Sequence, residues 1–196
     1  IPVIDCAAEL GAEYYCMDAG WYAAKEWGDS LGWWKPNDER FDGSIKKVFD
    51  KIREKGMKVG LWVEPEVMGI GCPLVSEFDD CFFKRRGKTV AARGRYQLDF
   101  RNQKVIDYLN SVIDSLVYDY GVEYFKFDYN ADAGAGTEVD ADSVGDGLLK
   151  YGEAYLKWID SLYERHPGLM IENCGSGGMR MDYKTLRNFS LFDTFL

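Results

Sequence analysis

One pattern of apolar and polar positions recurs along the chain: apolar residues at helical spacing, a glycine, a short apolar run, then an acid. The clearest stripe runs from Gln103 to Tyr120, with Val105, Ile106, Leu109, Val112, Ile113, Leu116 and Val117. Spacings of three and four put these on one side of a helix that faces a core. Gly121 stops it, and Val122-Glu-Tyr-Phe-Lys-Phe leads as a strand into Asp128. The same unit predicts a helix over Asp42 to Lys55, capped by Asp42 and ended at Gly56, then Lys58-Val-Gly-Leu-Trp-Val and Glu64-Pro-Glu66. It occurs at Ala7 to Leu10, Gly11 and Glu13 to Asp18. It occurs again at Gly147 to Arg165, where Pro167-Gly168 ends the helix and Leu169-Met-Ile leads to Glu172. A shorter unit, Tyr96-Gln-Leu-Asp99-Phe, precedes the long helix. Tyr129 to Asp146, rich in Asp, Gly and Ala, reads as a solvated crossover, with a mobile lid as the other reading.

Strands alternating with helices imply parallel β/α units. Such units present functional side chains at the C-terminal ends of their strands. Those ends carry Asp18, Glu64 with Glu66, Asp99, Asp128 and Glu172, which converge on one mouth if the sheet closes into a barrel. A full (β/α)8 barrel takes about 250 residues, so five or six strands in 196 residues read as part of one barrel domain. An open doubly wound sheet competes, although no glycine-rich phosphate loop follows the first strand. Ile1 already lies inside an amphipathic pattern and Phe189 to Leu196 is apolar, so the expectation is a segment of a longer chain.

Charge narrows the function classes. A net charge of −9 disfavours a nucleic-acid groove or an anionic membrane surface, both of which need clustered Lys and Arg. No apolar run approaches the roughly 20 residues of a membrane span. Five cysteines, odd in number and widely spaced, suggest reduced thiols and a cytoplasmic location. With His166 the lone histidine, and placed at a helix end, no transition-metal site and no cofactor are expected.

A ring of carboxylates at a barrel mouth supports either metal-assisted proton abstraction or glycosidic bond cleavage by paired acids. Lys126 lies two positions before Asp128, so both point to one face of the strand. A cation there would hold Asp128 ionised, as a nucleophile requires, or would form a structural ion pair.

Lys126-Phe-Asp128-Tyr-Asn130 closely resembles the Lys-Trp-Asp-x-Asn nucleophile motif of family 36 α-galactosidases. Leu61-Trp62-Val-Glu64-Pro-Glu66 and Met17-Asp18-Ala19-Gly20-Trp21 resemble two more of its motifs. Gly94-Arg95-Tyr-Gln97-Leu-Asp99 and Glu172-Asn-Cys174-Gly-Ser176-Gly177-Gly178 are similar to a fourth and a fifth, in the family's order. The resemblance implies strands two to six of a (β/α)8 TIM barrel, with flanking strands and accessory β domains outside residues 1–196, so that these residues alone are expected to be inactive. It implies a retaining hydrolase of terminal α-galactosides in which Asp128 forms a glycosyl-enzyme. Asp18 would bind the 4- or 6-hydroxyl of galactose and Lys126 the 3- or 4-hydroxyl. Asn130 and Cys174 would lie by the 2-hydroxyl. Arg95 would orient Asp128 or contact the sugar, Trp62 would wall the pocket, and Ser176 and Gly177 would form a close-approach loop. Glu64, Glu66, Asp99 and Glu172 would support the site rather than react. The partner is an α-galactoside oligosaccharide, and the full-length parent is a candidate homo-oligomer.

The chain departs from the family twice. Ala19 stands where the family has a second aspartate, so recognition around C4 and C6 is expected to differ, with a β-L-arabinopyranoside as a conceivable substrate. For the general acid, Asp193 is in range, and the alternative is an acid beyond residue 196. Two other functions stay open: a metal-dependent lyase or isomerase with acids around Mg²⁺, and an inactive carbohydrate-binding segment.

Overall fold

A computed structural model describes residues 2–22 and 26–193. Five strands form one sheet: β1 (Tyr14–Met17), β2 (Lys58–Val63), β3 (Tyr124–Phe127), β4 (Met170–Asn173) and β5 (Leu191–Phe192). Each pairs in parallel with the next in chain order, as an arc of a (β/α) barrel requires. Register puts Cys16, Gly60 and Tyr124 in one row, and Trp62, Lys126, Glu172 and Leu191 in the next. Side chains alternate along a strand, so these rows share one face. The other face carries Val59, Leu61, Val63, Phe125, Phe127 and Ile171, all fully buried.

The helices cover that apolar face. They are α1 (Pro2–Glu9), α2 (Lys46–Glu54), α3 (Gln103–Tyr118), α4 (Val144–Arg165) and α5 (Tyr183–Asn188). α2 buries Phe49 and Ile52, α3 buries Val105, Leu109, Ile113 and Leu116, and α4 buries Tyr151, Tyr155, Trp158, Ile159 and Leu162. Trp158 stacks on Phe127 at 5.7 Å between ring centroids, which ties α4 to the back of β3. Burying one such side chain contributes about 1.5–3 kcal/mol, so this dry face supplies the stability and leaves the other face for chemistry. On that chemical face, neighbours crowd Gly60. A Cβ there would come within 2.9 Å of Tyr124 Cδ1 and 3.1 Å of Cys16 Cα.

Three expectations are corrected. Tyr96 to Phe100 is not a barrel strand: Arg95–Gln97 pairs antiparallel with Val67–Gly69 and Ala91–Ala92 in a separate small sheet. β2 and β3 are direct neighbours, so no strand lies between them. Asp99 therefore leaves the ring of strand-end acids; it is bound by Arg101, with guanidinium Nη2 at 2.6 Å. Asp42 does not cap α2; it ends a short 3-10 turn at φ 50°, and its neighbour Asp38 instead accepts the Ile45 N–H at 2.9 Å. The stretch 129–143 is an ordered connection, with Thr137 Oγ1 accepting the Lys84 N–H at 3.1 Å and Glu138 accepting that of Gly87 at 3.1 Å. The end of the apolar run at 194–196 lies outside the described residues. Among the described residues no helix is long and apolar enough to cross a membrane.

Candidate active site

Asp128 follows β3 directly, and its N–H donates to Val63 O at 2.9 Å, so the strand ladder fixes its backbone. Its side chain is 8% exposed and collects donors from three segments. Trp62 Nε1 and Asn130 Nδ2 donate to Oδ2 at 3.1 and 2.7 Å. The N–H groups of Tyr129 and Ser176 donate to Oδ1 at 2.8 and 3.1 Å. The Cys174 thiol adds a further hydrogen bond. A carboxylate has about four lone-pair positions, so these donors fix its orientation.

The same donors set its ionisation. Burial alone would raise the carboxyl, but hydrogen bonds from Cys174, Asn130, Ser176 and Trp62 outweigh it and hold Asp128 below its ordinary 3.8. Burial pushes the Cys174 thiol up to about 12, so it stays protonated and able to donate. A depressed carboxyl binds its proton more weakly in the folded protein than in the unfolded chain. Its stabilising contribution is thus fully present above 3.8 and is lost as pH falls below that value. Asp128→Asn should flatten the acid limb of stability against pH in denaturant titrations; a limb parallel to that of the unmodified protein would refute the assignment.

Lys126 does not serve Asp128 as the charge argument anticipated. Its ammonium lies 3.2 Å from Asp193 Oδ2 and 3.9 Å from Asp18 Oδ2. The depressed carboxyl of Asp128 thus comes from hydrogen bonds, while Lys126 joins two other acids on the same face. Asp18 is exposed there, and Ala19 N–H donates to its Oδ1 at 2.7 Å. Asp193 follows β5, with its N–H on Asn173 O at 3.0 Å.

Arg95 contacts Glu64 rather than Asp128. Its Nε donates to Glu64 Oε2 at 3.0 Å, its Nη1 to Arg93 O at 2.8 Å, and its guanidinium lies over Trp27. Glu64 is fully buried, and its Oε1 accepts the Asn130 N–H at 2.5 Å. Glu64 thereby holds the residue whose side chain holds Asp128. Burial raises the Glu64 carboxyl ahead of the opposing effects of Asn130 and Arg95, so two adjacent acids are displaced in opposite directions. Trp62 is itself buried among Tyr22, Trp27 and Trp34, and acts as a donor more than as an open wall. Trp27, 43% exposed, is the ring that faces outward.

Glu66, also fully buried, accepts both guanidinium nitrogens of Arg180 at 2.5 and 2.8 Å and the Tyr151 hydroxyl. Glu172 accepts the Tyr124 hydroxyl. Sequence reasoning placed these acids as supports but missed Arg180 and Tyr129. A signal existed, since a glutamate deep in an apolar strand end needs a cation, and Arg180 closes the glycine-rich loop after Gly178. Ser176 and Gly177 sit in the loop after β4, with Gly177 O accepting the Gly175 N–H at 3.2 Å. Glu64, Glu66 and Asp99 are each committed to an arginine.

The Melibiase family model matches residues 1–192. Alpha-galactosidase Mel36A of Lactobacillus acidophilus is 29% identical over 184 residues, covering 92% of this chain and 25% of the relative. The bifunctional alpha-galactosidase/sucrose kinase AgaSK of Mediterraneibacter gnavus is 32% identical over 179 residues, covering 90% of this chain and 18% of the relative. Among solved structures, the galactosidase domain of AgaSK superposes with a TM-score of 0.85 at 28% identity, covering 98% of this chain and 26% of that one. A variant of alpha-galactosidase AgaA from Geobacillus stearothermophilus in complex with raffinose gives 0.85 at 25% identity, covering 98% and 27%. The chain spans about a quarter of the length of most of the relatives it matches.

Proposed function

The chain belongs to the melibiase family, and from that premise we propose that it carries the nucleophile of a retaining α-galactoside hydrolase. Asp128 attacks the anomeric carbon, a carboxylate–carbon bond forms as the glycosidic bond breaks, and the departing oxygen takes a proton from a second acid. Water then hydrolyses the glycosyl-enzyme. The observation that carries this reading is Asp128 itself, buried, kept ionised and aimed by donors from Trp62, Asn130, Tyr129 and Ser176.

An alpha-galactosidase AgaA variant, 25% identical and solved with raffinose, supports an α-galactoside oligosaccharide as the substrate class. Asp18 and Lys126 serve as acceptor and donor for the sugar's 3-, 4- and 6-hydroxyls, and Asn130 and Cys174 flank the 2-hydroxyl. Ala19 supplies no second carboxylate beside Asp18, which weakens discrimination at C6 between a galactoside and a β-L-arabinopyranoside. Asp193 is the candidate second acid within the described residues, but its ion pair with Lys126 at 3.2 Å favours the carboxylate and so opposes the proton-donating form. Five free cysteines fit a reducing, cytoplasmic setting.

A 2-fluoro-galactosyl reagent tests the reading directly, because it traps the covalent intermediate. Applied to the full-length polypeptide, it should label the peptide that holds Asp128, and turnover of an aryl α-galactoside should survive a chelator. A label on another carboxylate would overturn the nucleophile; chelator-sensitive turnover would revive the metal-dependent class.

A further inference from the structure

The loop from Gly175 to Arg180 delivers the Ser176 N–H to Asp128 Oδ1 at 3.1 Å. Ser176 does so at φ 49°, a left-handed conformation that costs a residue with a side chain about 1 kcal/mol or more. Such a conformation persists only where its surroundings enforce it, and Arg180 supplies the enforcement. Its carbonyl accepts Asn173 Nδ2 at 3.1 Å. Its stem packs on Gly175, where a Cβ would come within 3.1 Å of Arg180 Cγ. Its guanidinium grips both oxygens of buried Glu66 and lies 4.2 Å above the Tyr129 ring. Tyr129 is the other residue whose backbone N–H reaches Asp128 Oδ1, at 2.8 Å. Its hydroxyl is also pinned, donating to Gln97 Oε1 at 2.8 Å. Arg180 therefore touches both chain segments whose N–H groups meet on one oxygen of Asp128.

We propose that Arg180, clamped to Glu66, is a positioning residue that holds the Tyr129 and Ser176 N–H groups on the nucleophile. This rests on the reading of Asp128 as nucleophile. Arg180 acts through the loop and the Tyr129 ring. Lysine cannot substitute for it, because the role needs a planar fork for two carboxylate oxygens and a flat face for the ring.

Arg180→Lys in the full-length polypeptide tests the inference. The charged or titratable groups around Asp128 are Cys174 just after β4, Glu64 just after β2 and Lys126 on β3, and the substitution alters none of them. With the two N–H donors misplaced, kcat on an aryl α-galactoside should fall about 10- to 100-fold. KM should stay within about threefold, since the sugar-hydroxyl contacts remain. Weakening these two hydrogen bonds to the carboxylate should move the acid limb of kcat/KM upward by about one pH unit. A folded variant with unchanged kcat and an unmoved acid limb would overturn the inference and leave Arg180 a purely structural ion. Should that variant not fold, Glu66→Gln, which keeps the side-chain volume, is read by the same two quantities. The two readings fail separately: a 2-fluoro-galactosyl label away from Asp128 defeats the nucleophile assignment. An Asp128 label with an unmoved acid limb defeats the positioning role alone.

Discussion

Replacing Asp128 with alanine should lower kcat/KM on an aryl α-galactoside by at least about 10⁴-fold, because the covalent step has no substitute within the chain. The loss alone would not distinguish a nucleophile from a structural acid, but rescue does. Without the carboxylate, Trp62 Nε1, Asn130 Nδ2 and the N–H groups of Tyr129 and Ser176 still converge on the vacated space. Four donors around a hole the size of a carboxylate make an anion site. Azide should bind there, attack the anomeric carbon and release a β-galactosyl azide, inverted at C1. Recovery of activity without that product, or no rescue at any azide concentration, would argue that Asp128 only supports the site.

The second large effect concerns stability. Arg95→Met should destabilise the protein by about 3–5 kcal/mol, the usual cost of breaking a buried ion pair by removing one partner. Glu64 has a fully buried side chain and that of Arg95 is 11% exposed, so water cannot take the guanidinium's place. The paired change of Arg95→Met with Glu64→Leu should recover most of the loss, because no charge is then left uncompensated. Denaturant midpoints of the single and double variants decide between a desolvated pair and a solvated one. A single variant as stable as the parent would mean that the pair is solvated. Turnover should fall in both, since Glu64 Oε1 also holds the Asn130 N–H at 2.5 Å.

The sequence was most readable where a strand ends. Apolar runs flanked by helical stripes located β1 to β4, and the acid after each of β1 to β3 lies on the chemical face. It misled at Tyr96, where apolar–polar alternation is the same for a barrel strand and for an antiparallel strand in an excursion. Only the partner distinguishes them, and the partner is Val67–Gly69, nearly thirty residues away. Lys126 misled for a related reason. Alternation placed it on the face of Asp128 correctly, yet which acid it pairs with depends on β1 and β5, whose register no local pattern encodes. The backbone donors on Asp128 were illegible because an N–H has no side-chain identity. Only the glycines around Ser176 hinted at them.

The sheet grows in chain order, each strand beside the one before it, so a ribosome could add strands to an edge already formed. The nucleophile does not mature on that schedule. Asp128 emerges with the Trp62 donor already made, but Ser176 follows 48 residues later, and the Arg180 clamp joins Glu66 across 114 residues. The scaffold is thus assembled early and the reactive group is finished late. A nascent chain would carry a barrel arc with an incompletely dressed carboxylate until that last loop closed over it.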